Sequence, residues 1–269
     1  MIVIAVVAGI LVGISLGALG GGGAIITVPV LVYVLGQSAH EATTSSLVIV
    51  GVTAFIAAIT HARAGRVRWV QGLIFGAVGT LGTLLGSQLA SGIAANTLLG
   101  LFATLLFVVA ILLWRRAAAA TGPVDDVEGR ESAGLIVWNP QFVCDCPAVL
   151  KVVVTAVGVG LLTGFFGVGG GFAVVPALVM ALRFTMPVAI GTSLFVIALN
   201  SATALASRLG GGVALDWRVV GIFTFAAVAA SLLGSRVTSR LPAATLQRAF
   251  ALLLLLVAGY TAARTLLGG

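Results

Sequence analysis

Hydrophobic residues form long segments along this chain, and the few charged residues lie between them. About 20 apolar helical residues span a bilayer core, so several segments are long enough to cross it. The segments lack the alternation of barrel strands, and helices satisfy their own backbone hydrogen bonds in lipid. The pattern therefore predicts an all-α, polytopic helical membrane protein. The segments without Asp, Glu, Lys or Arg are 1–40, 42–62, 69–114, 152–182, 184–207, 219–235 and 249–263.

Composition supports the same class. Hydrophobic residues make up 60% of the 269 residues and charged residues only 8%, too few to cover the surface of a soluble domain. A net charge of +7 in a soluble protein would suggest a nucleic-acid partner. Here the basic residues flank apolar segments, which is typical of membrane topology. We therefore expect the lipid bilayer as a partner and no nucleic acid.

The chain contains an internal repeat. Its first copy lies in residues 1–114 and its second in 152–269, joined by a polar connector at 115–151. At an offset of 147, Gly13, Gly17, Gly20, Pro29 and Ser46 align with Gly160, Gly164, Gly167, Pro176 and Ser193. At an offset of 148, Trp69, Phe75 and Gly86 align with Trp217, Phe223 and Gly234.

Each half contains five apolar segments, of which the second is short. The 13 residues of 24–36 would cover about 20 Å as a helix, which is less than the bilayer core. We therefore predict that each half has a short broken-helix hairpin followed by about three full spans. The predicted segments are 2–19, 24–36, 42–60, 69–91 and 97–114, then 153–166, 172–183, 188–207, 217–239 and 246–266.

An odd number of segments per half places the two halves in opposite orientations, as inverted repeats. Eleven basic residues then lie on one side of the membrane and three on the other. The positive-inside rule makes the first side cytoplasmic, with the connector inside and both termini outside. If each opening pair were instead one long span, the halves would be parallel and the split ten to four. Charge thus favours inversion without deciding it.

Two glycine-rich runs, at 17–24 and 164–171, each lead to a proline. A glycine run before a short helix exposes backbone N–H groups, and the N-terminus of that helix adds partial positive charge. The run and the helix together can therefore bind an anion, and we call this arrangement an anion cradle. Small polar residues follow each run and can complete the hydrogen bonds. Close helix packing is the alternative reason for the glycines. The candidate anion-binding residues are Gly20, Gly21, Gly22, Gly23, Thr44, Ser45, Ser46, Gly167, Gly169, Gly170, Gly171, Thr192, Ser193 and Asn200, the last aligned with Thr53.

The features that carry a family resemblance are the two glycine runs, the prolines after them, the small-polar segments at 43–46 and 191–193, and the Leu-Leu-Gly-Ser repeats. By these features the sequence resembles the sulfite exporter TauE/SafE family. The resemblance covers both halves but not the connector. It implies a secondary exporter of sulfite or of a sulfur-containing organic anion such as a sulfonate.

Other functional classes fit less well. Neither glycine run has the context of a nucleotide-binding loop, and no catalytic triad or metal cluster is evident, so we expect no enzyme activity, cofactor or metal. The absence of carboxylates inside the spans disfavours cation transport. His61 aligns with Arg208, and both are candidates for gating or for coupling to a proton or other ion. A passive anion or small-solute channel remains an alternative, as does a membrane scaffold.

Overall fold

The computed structural model describes residues 2–90, 95–119, 146–166, 171–208 and 215–266, and these residues form ten α-helices. The predicted all-helical membrane class is confirmed. Seven of the described helices, α1, α3, α4, α5, α8, α9 and α10, are long and apolar enough to span a membrane. The helices are α1 Ile2–Leu19, α2 Gly22–Pro29, α3 Ala39–Arg63, α4 Trp69–Ala90, α5 Ala95–Ala119, α6 Cys146–Phe166, α7 Gly171–Met180, α8 Met186–Arg208, α9 Trp217–Arg240 and α10 Ala243–Leu266.

Large apolar side chains cover the outer surface of the bundle. Phe225 is 77% exposed, and leucines of α4, α5 and α10 are also exposed. Such a large apolar surface is unfavourable in water but is stable in contact with lipid. Trp69 and Trp217 begin α4 and α9 and are exposed, which is typical of aromatic anchors at the edge of a membrane.

The short second helix has a local cause. Proline has no N–H, and its ring clashes with the carbonyl four residues earlier, so Pro29 ends the regular α2 pattern. A π-helical turn, Val30–Val34, follows directly. In the second half, Pro176 lies inside α7, which has only ten residues. Neither segment is long enough to cross a bilayer, as the sequence predicts.

Two of the few acidic residues serve as helix caps. The Ser38 hydroxyl accepts the Glu41 N–H at 3.3 Å, and the Glu41 carboxylate accepts the Ser38 N–H at 3.1 Å, which forms a capping box for α3. Asp216 accepts the N–H groups of Arg218 and Val219 at the start of α9, at 3.0 and 3.2 Å. Both carboxylates therefore have a structural role at the start of a helix.

The helices pair in an equivalent way in the two halves. Helix α1 packs along α9, and α6 packs along α4; α3 packs against α8, and α5 against α10. The close approaches also match: a β-carbon on Gly13 or Gly17 would meet the carbonyl of Ala227 or Ser231, and one on Gly160 or Gly164 would meet the carbonyl of Gly79 or Thr83. These pairs correspond at the repeat offsets of 147 and 148. Glycine therefore serves helix packing at these four positions.

Helices α3 and α8, which occupy equivalent places in the two halves, run in opposite directions. Gly51 of α3 faces Ser201 of α8, with a hypothetical Gly51 β-carbon 2.9 Å from the Ser201 β-carbon. Gly191, earlier in α8, instead faces His61, near the end of α3, at 3.1 Å by the same measure. Parallel halves would make these helices run the same way, so their opposite directions support the inverted arrangement.

Helices α1, α3 and α9 run in the same direction. Their beginnings meet at one end of the bundle, where Ile2, Glu41 and Arg218 line one cavity. Their ends meet at the other, where His61 and Thr238 both contact the carbonyl of Gly17. We call the second end the arginine-rich end, because Arg63, Arg66, Arg68, Arg236 and Arg240 lie in the last turns of α3 and α9 or in the turn after α3.

Helical residues extend into the predicted connector from both sides. Helix α5 continues to Ala119, and α6 already begins at Cys146, whereas the sequence predicts their limits near 114 and 153. The remaining connector residues, 120–145, lie outside the described part of the chain.

Candidate functional site

The first glycine run makes the turn between α1 and α2. Gly20 has a φ of +74°, a conformation that glycine adopts at little cost, and its N–H donates to the Leu16 carbonyl at 2.8 Å. A β-carbon on Gly20 would lie 2.6 Å from the Ser193 Oγ, so the turn is pressed against α8. The structure thus brings together one candidate from each half.

The other glycines of this run are enclosed by protein. A β-carbon on Gly22 would collide with the tip of Leu253 in α10, and one on Gly23 would lie 2.6 Å from the Leu16 Cγ and the Val12 carbonyl oxygen. Gly21 is buried and precedes α2 as its N-cap residue. These contacts favour the packing interpretation for the Cα positions of Gly22 and Gly23.

The second run is only partly described. Gly167, Gly169 and Gly170 lie outside the described residues. Gly171 is the first residue of α7, where a β-carbon would lie 3.2 Å from the Ala24 β-carbon and 3.0 Å from the Ile197 Cδ1. The beginnings of the two short helices α2 and α7 therefore touch each other inside the bundle.

The candidate hydroxyls are buried, but several already have hydrogen-bond partners. Ser46 donates to the Thr43 carbonyl and Ser193 to the Ile190 carbonyl, each at 2.8 Å. Thr192 accepts the Arg68 N–H at 3.1 Å, which ties α8 to the turn before α4. Thr44 is 4% exposed. Ser46, Ser193 and Thr192 therefore have structural hydrogen bonds in addition to any contact with a ligand.

The structure does not gather these hydroxyls at one point. Because α3 and α8 are antiparallel and Gly51 faces Ser201, Ser46 lies level with about residue 206 of α8, some 13 residues from Ser193. At 1.5 Å per residue the two serines are about 20 Å apart along the helix axis. One small anion cannot contact both.

A smaller group lies where α3 and α8 cross. Thr53 is fully buried, and its Oγ1 has no hydrogen-bond partner; the Oδ1 of Asn200, next to Ser201, is likewise buried and unpartnered. A β-carbon on Gly76 of α4 would lie 3.7 Å from this Asn200 oxygen. Ser45, further toward the start of α3, has a third unpartnered oxygen. We call Thr53, Asn200 and the adjoining residues Gly51, Gly76 and Ser201 the central crossing.

A buried, unpartnered hydroxyl, which Thr53 shares with Thr163, is uncommon among the threonines of the described helices. Many threonines in the described helices donate to a carbonyl of their own helix, as Thr27 does to Gly23 at 2.8 Å and Thr224 to Val220 at 2.6 Å. A buried polar group without a partner costs about 1–3 kcal/mol. Such groups in a membrane interior are therefore candidates for ligand contact.

Two cavities open at opposite ends of the bundle. The cavity at the beginnings of α1, α3 and α9 has a volume of about 430 Å³, and its lining includes Gln37, Glu41, Asp216 and Arg218. The cavity at the arginine-rich end has a volume of about 290 Å³ and is lined by Thr60, His61, Ala64, Arg66, Leu232, Ser235 and Arg236. The sequence identified Arg66 and Arg236 only as topology markers, because nothing in their spacing of 170 positions indicates that they meet.

The two gating candidates are placed differently. His61 is buried at 1% exposure, and its Nε2 lies 3.2 Å from the Gly17 carbonyl oxygen. Arg208 is the last residue of α8. Since α8 runs opposite to α3, these aligned residues lie toward opposite ends of the bundle.

Comparison with known proteins identifies the family. The family described as Sulfite exporter TauE/SafE matches residues 5–261. The chain belongs to this family. A "Probable membrane transporter protein" of Xylella fastidiosa strain Temecula1 is 34% identical over 262 residues, covering 96% of this chain and 94% of the relative. A "Probable membrane transporter protein YdhB" of Bacillus subtilis is 26% identical, covering 89% of this chain and 91% of the relative. No solved structure matches.

This TauE/SafE chain is a multi-pass membrane protein and a transporter of that family. The resemblance noted from its glycine runs is confirmed. The names of the relatives state no substrate, so the transported anion is a matter for proposal.

Proposed function

We propose that this TauE/SafE transporter is a secondary exporter of a small oxyanion, either sulfite or a sulfur-containing organic anion such as a sulfonate. The description of the family supports a sulfite-like substrate. The arginine-rich end, placed in the cytoplasm by the positive-inside rule, would concentrate anions on the side from which they leave. In this orientation both termini are outside and the 115–151 connector is cytoplasmic.

The central crossing is the observation on which this proposal chiefly rests. Along the direction of α3, the buried, unpartnered oxygen of Thr53 lies at a level between the two cavities, and the unpartnered oxygen of Asn200 belongs to α8 at about the same level. A hydroxyl donates a hydrogen bond to an anion, and the Asn200 amide donates through its nitrogen, which a half-turn of the amide group brings to the place of its oxygen. Neutral donors without a fixed cation bind an anion weakly enough to release it.

Antiparallel α3 and α8 give a simple mechanism for alternating access. A small rocking of one half against the other would open the central crossing to one cavity while closing it from the other, as in transporters built from inverted repeats. The turn at Gly20, held against Ser193 of the opposite half, would move with this rocking. A passive channel would need no such motion and would conduct without saturation.

Flux measurements in proteoliposomes test this function. The purified protein is reconstituted, and the uptake of labelled sulfite, sulfate, sulfoacetate and taurine is measured with and without a pH gradient. We expect saturable flux of at least one of these sulfur compounds, accelerated by the gradient if a proton is the coupling ion. Flux that rises linearly with concentration would favour the channel, and no flux of any of the four would refute the proposed substrate class.

A further inference from the structure

The cavity at the arginine-rich end has the chemistry of a second anion site. We call it the basic vestibule and define it by Thr60, His61, Arg66, Ser235 and Arg236. Its lining combines two guanidinium groups with an imidazole, whereas the cavity at the other end has Glu41 and Asp216 beside Arg218. The two mouths of the transporter therefore differ in charge.

The hydroxyls of the basic vestibule are not free to donate. Thr60 donates to the Ala57 carbonyl at 2.7 Å, and Ser235 donates to the Leu232 carbonyl at 2.9 Å. Each hydroxyl has only one proton, so both groups can still accept but cannot donate to a ligand. The lining side chains that carry N–H groups able to donate to an anion are those of Arg66, Arg236 and His61. Guanidinium groups match the paired oxygens of an oxyanion.

His61 has one nitrogen engaged and one unpartnered. Its Nε2 lies 3.2 Å from the Gly17 carbonyl, which can only accept, so Nε2 carries the hydrogen. Its Nδ1 is buried and has no hydrogen-bond partner. In the neutral ring Nδ1 is thus an acceptor, and on protonation it becomes a donor. The charged groups around it are Arg66 from the α3–α4 turn and Arg236 from α9, with Arg63 on its own helix, while α1 and α8 contribute Gly17 and Gly191.

We propose that the basic vestibule binds a small oxyanion, held by the guanidinium groups of Arg66 and Arg236 and by Nδ1 of protonated His61. The oxyanion offsets the repulsion between the two arginines and the imidazolium. Binding of the anion and uptake of one proton by His61 therefore favour each other, so the vestibule captures both together. This inference rests on the proposed export function for its role, but the site itself differs from the central crossing.

Protection of a cysteine from a thiol reagent tests the site directly. Ser235→Cys is introduced after Cys144→Ala and Cys146→Ala, and Ala64→Cys serves as a second reporter at the same cavity. Labelling by N-ethylmaleimide is measured with sulfate or methanesulfonate, which do not react with maleimides as sulfite does, and gluconate keeps the ionic strength constant because salt screens charges. We expect at least one of the two anions to slow labelling of both reporters.

Charge variants then identify the donors. Arg66→Gln or Arg236→Gln should raise the half-protecting anion concentration about tenfold to a hundredfold, the loss expected for hydrogen bonds to a charged group. Arg240→Gln makes the same charge change on the same helix outside the cavity and should have little effect. In the parent, protection should strengthen as the pH falls from 8 to 5.5, and His61→Gln should weaken that dependence. Comparing variants with one anion cancels the anion's own titration.

The outcomes separate this site from the transport function. If the parent transports an anion but neither sulfate nor methanesulfonate protects either reporter, the vestibule site is wrong and the export proposal stands. If protection depends on Arg66 and Arg236 but no flux occurs, the site stands and the export proposal fails. If Arg66→Gln, Arg236→Gln and Arg240→Gln raised the half-protecting anion concentration equally, protection would reflect only the general positive charge of this end, and the proposed site would be wrong.

Discussion

At the scale of single residues, removal of the unpartnered Thr53 hydroxyl should change anion affinity without lowering the stability of the protein. Thr53→Val keeps the shape of the side chain and removes only the hydroxyl. We expect the anion affinity in the flux assay to fall about tenfold to a hundredfold, as for loss of a hydrogen bond to a charged group. The thermal midpoint of the detergent-extracted protein should stay equal or rise, because the fully buried Oγ1 has no partner to lose.

Thr224→Val is the matched control for this substitution. The Thr224 hydroxyl donates to the Val220 carbonyl at 2.6 Å within α9, a helix that contributes no residue to the central crossing. Its replacement should leave the affinity unchanged. An unaltered affinity in Thr53→Val as well would remove this hydroxyl from the transport pathway.

Residues that the sequence aligns between the halves do not all meet in space. The offset of 147 pairs Ser46 with Ser193 and Thr53 with Asn200 in the same way, so the sequence predicts one common site. In an antiparallel pair of helices, two residues that the repeat aligns lie equally far from the crossing point, one on each side of it. Only aligned residues close to the crossing point are therefore near each other. The sequence offset does not reveal how far a residue lies from that point. Thr53 and Asn200 therefore share the crossing, and the two serines do not.

At the scale of helices, the glycines of α1 and α6 make a symmetric prediction about stability. A β-carbon on Gly17 would collide with the Ser231 carbonyl, and one on Gly164 would collide with the Thr83 carbonyl. Backbone cannot move aside as a flexible side chain can, so Gly17→Ala and Gly164→Ala should each destabilise the protein by about 1–3 kcal/mol or more. Thermal unfolding followed by light scattering or intrinsic fluorescence measures the loss.

Gly221→Ala provides the comparison, because a β-carbon there meets no atom within 4 Å. It should leave the thermal midpoint unchanged or slightly higher, since alanine favours helix over glycine. If Gly17→Ala and Gly164→Ala were as harmless as Gly221→Ala, the tight pairing of α1 with α9 and of α6 with α4 would be wrong.

The helices themselves were largely predictable. Uncharged apolar segments long enough to span a bilayer predicted the six full spans α3, α4, α5, α8, α9 and α10. Helix α1, predicted as one arm of a short hairpin, is also long enough to span a bilayer. The glycine run with Pro29 indicated where the short second helix begins and breaks. The partners of each helix were not predictable, because an apolar helix shows no preferred face in its sequence. Gly13 and Gly17 signalled close packing, but only the fold reveals that their partner is α9, more than 200 residues away.

At the scale of the whole molecule, the orientation in the membrane can be tested by labelling. Helices α1, α3 and α9 run the same way, so Val3 and Ala64 lie at opposite ends of the bundle. The positive-inside rule predicts that the arginine-rich end faces the cytoplasm. In a variant without Cys144 and Cys146, Val3→Cys should react in intact cells with a membrane-impermeant maleimide, and Ala64→Cys should react only after the membrane is opened.

Inverted membrane vesicles should reverse this pattern, which controls for a cysteine that is merely inaccessible. Labelling of Ala64→Cys in intact cells, with Val3→Cys protected there and labelled in inverted vesicles, would place the arginine-rich end outside. The basic vestibule would then face the exterior, and its attraction for anions would favour uptake over export. The same pair of cysteines thus decides both the topology and the direction in which the charge asymmetry acts.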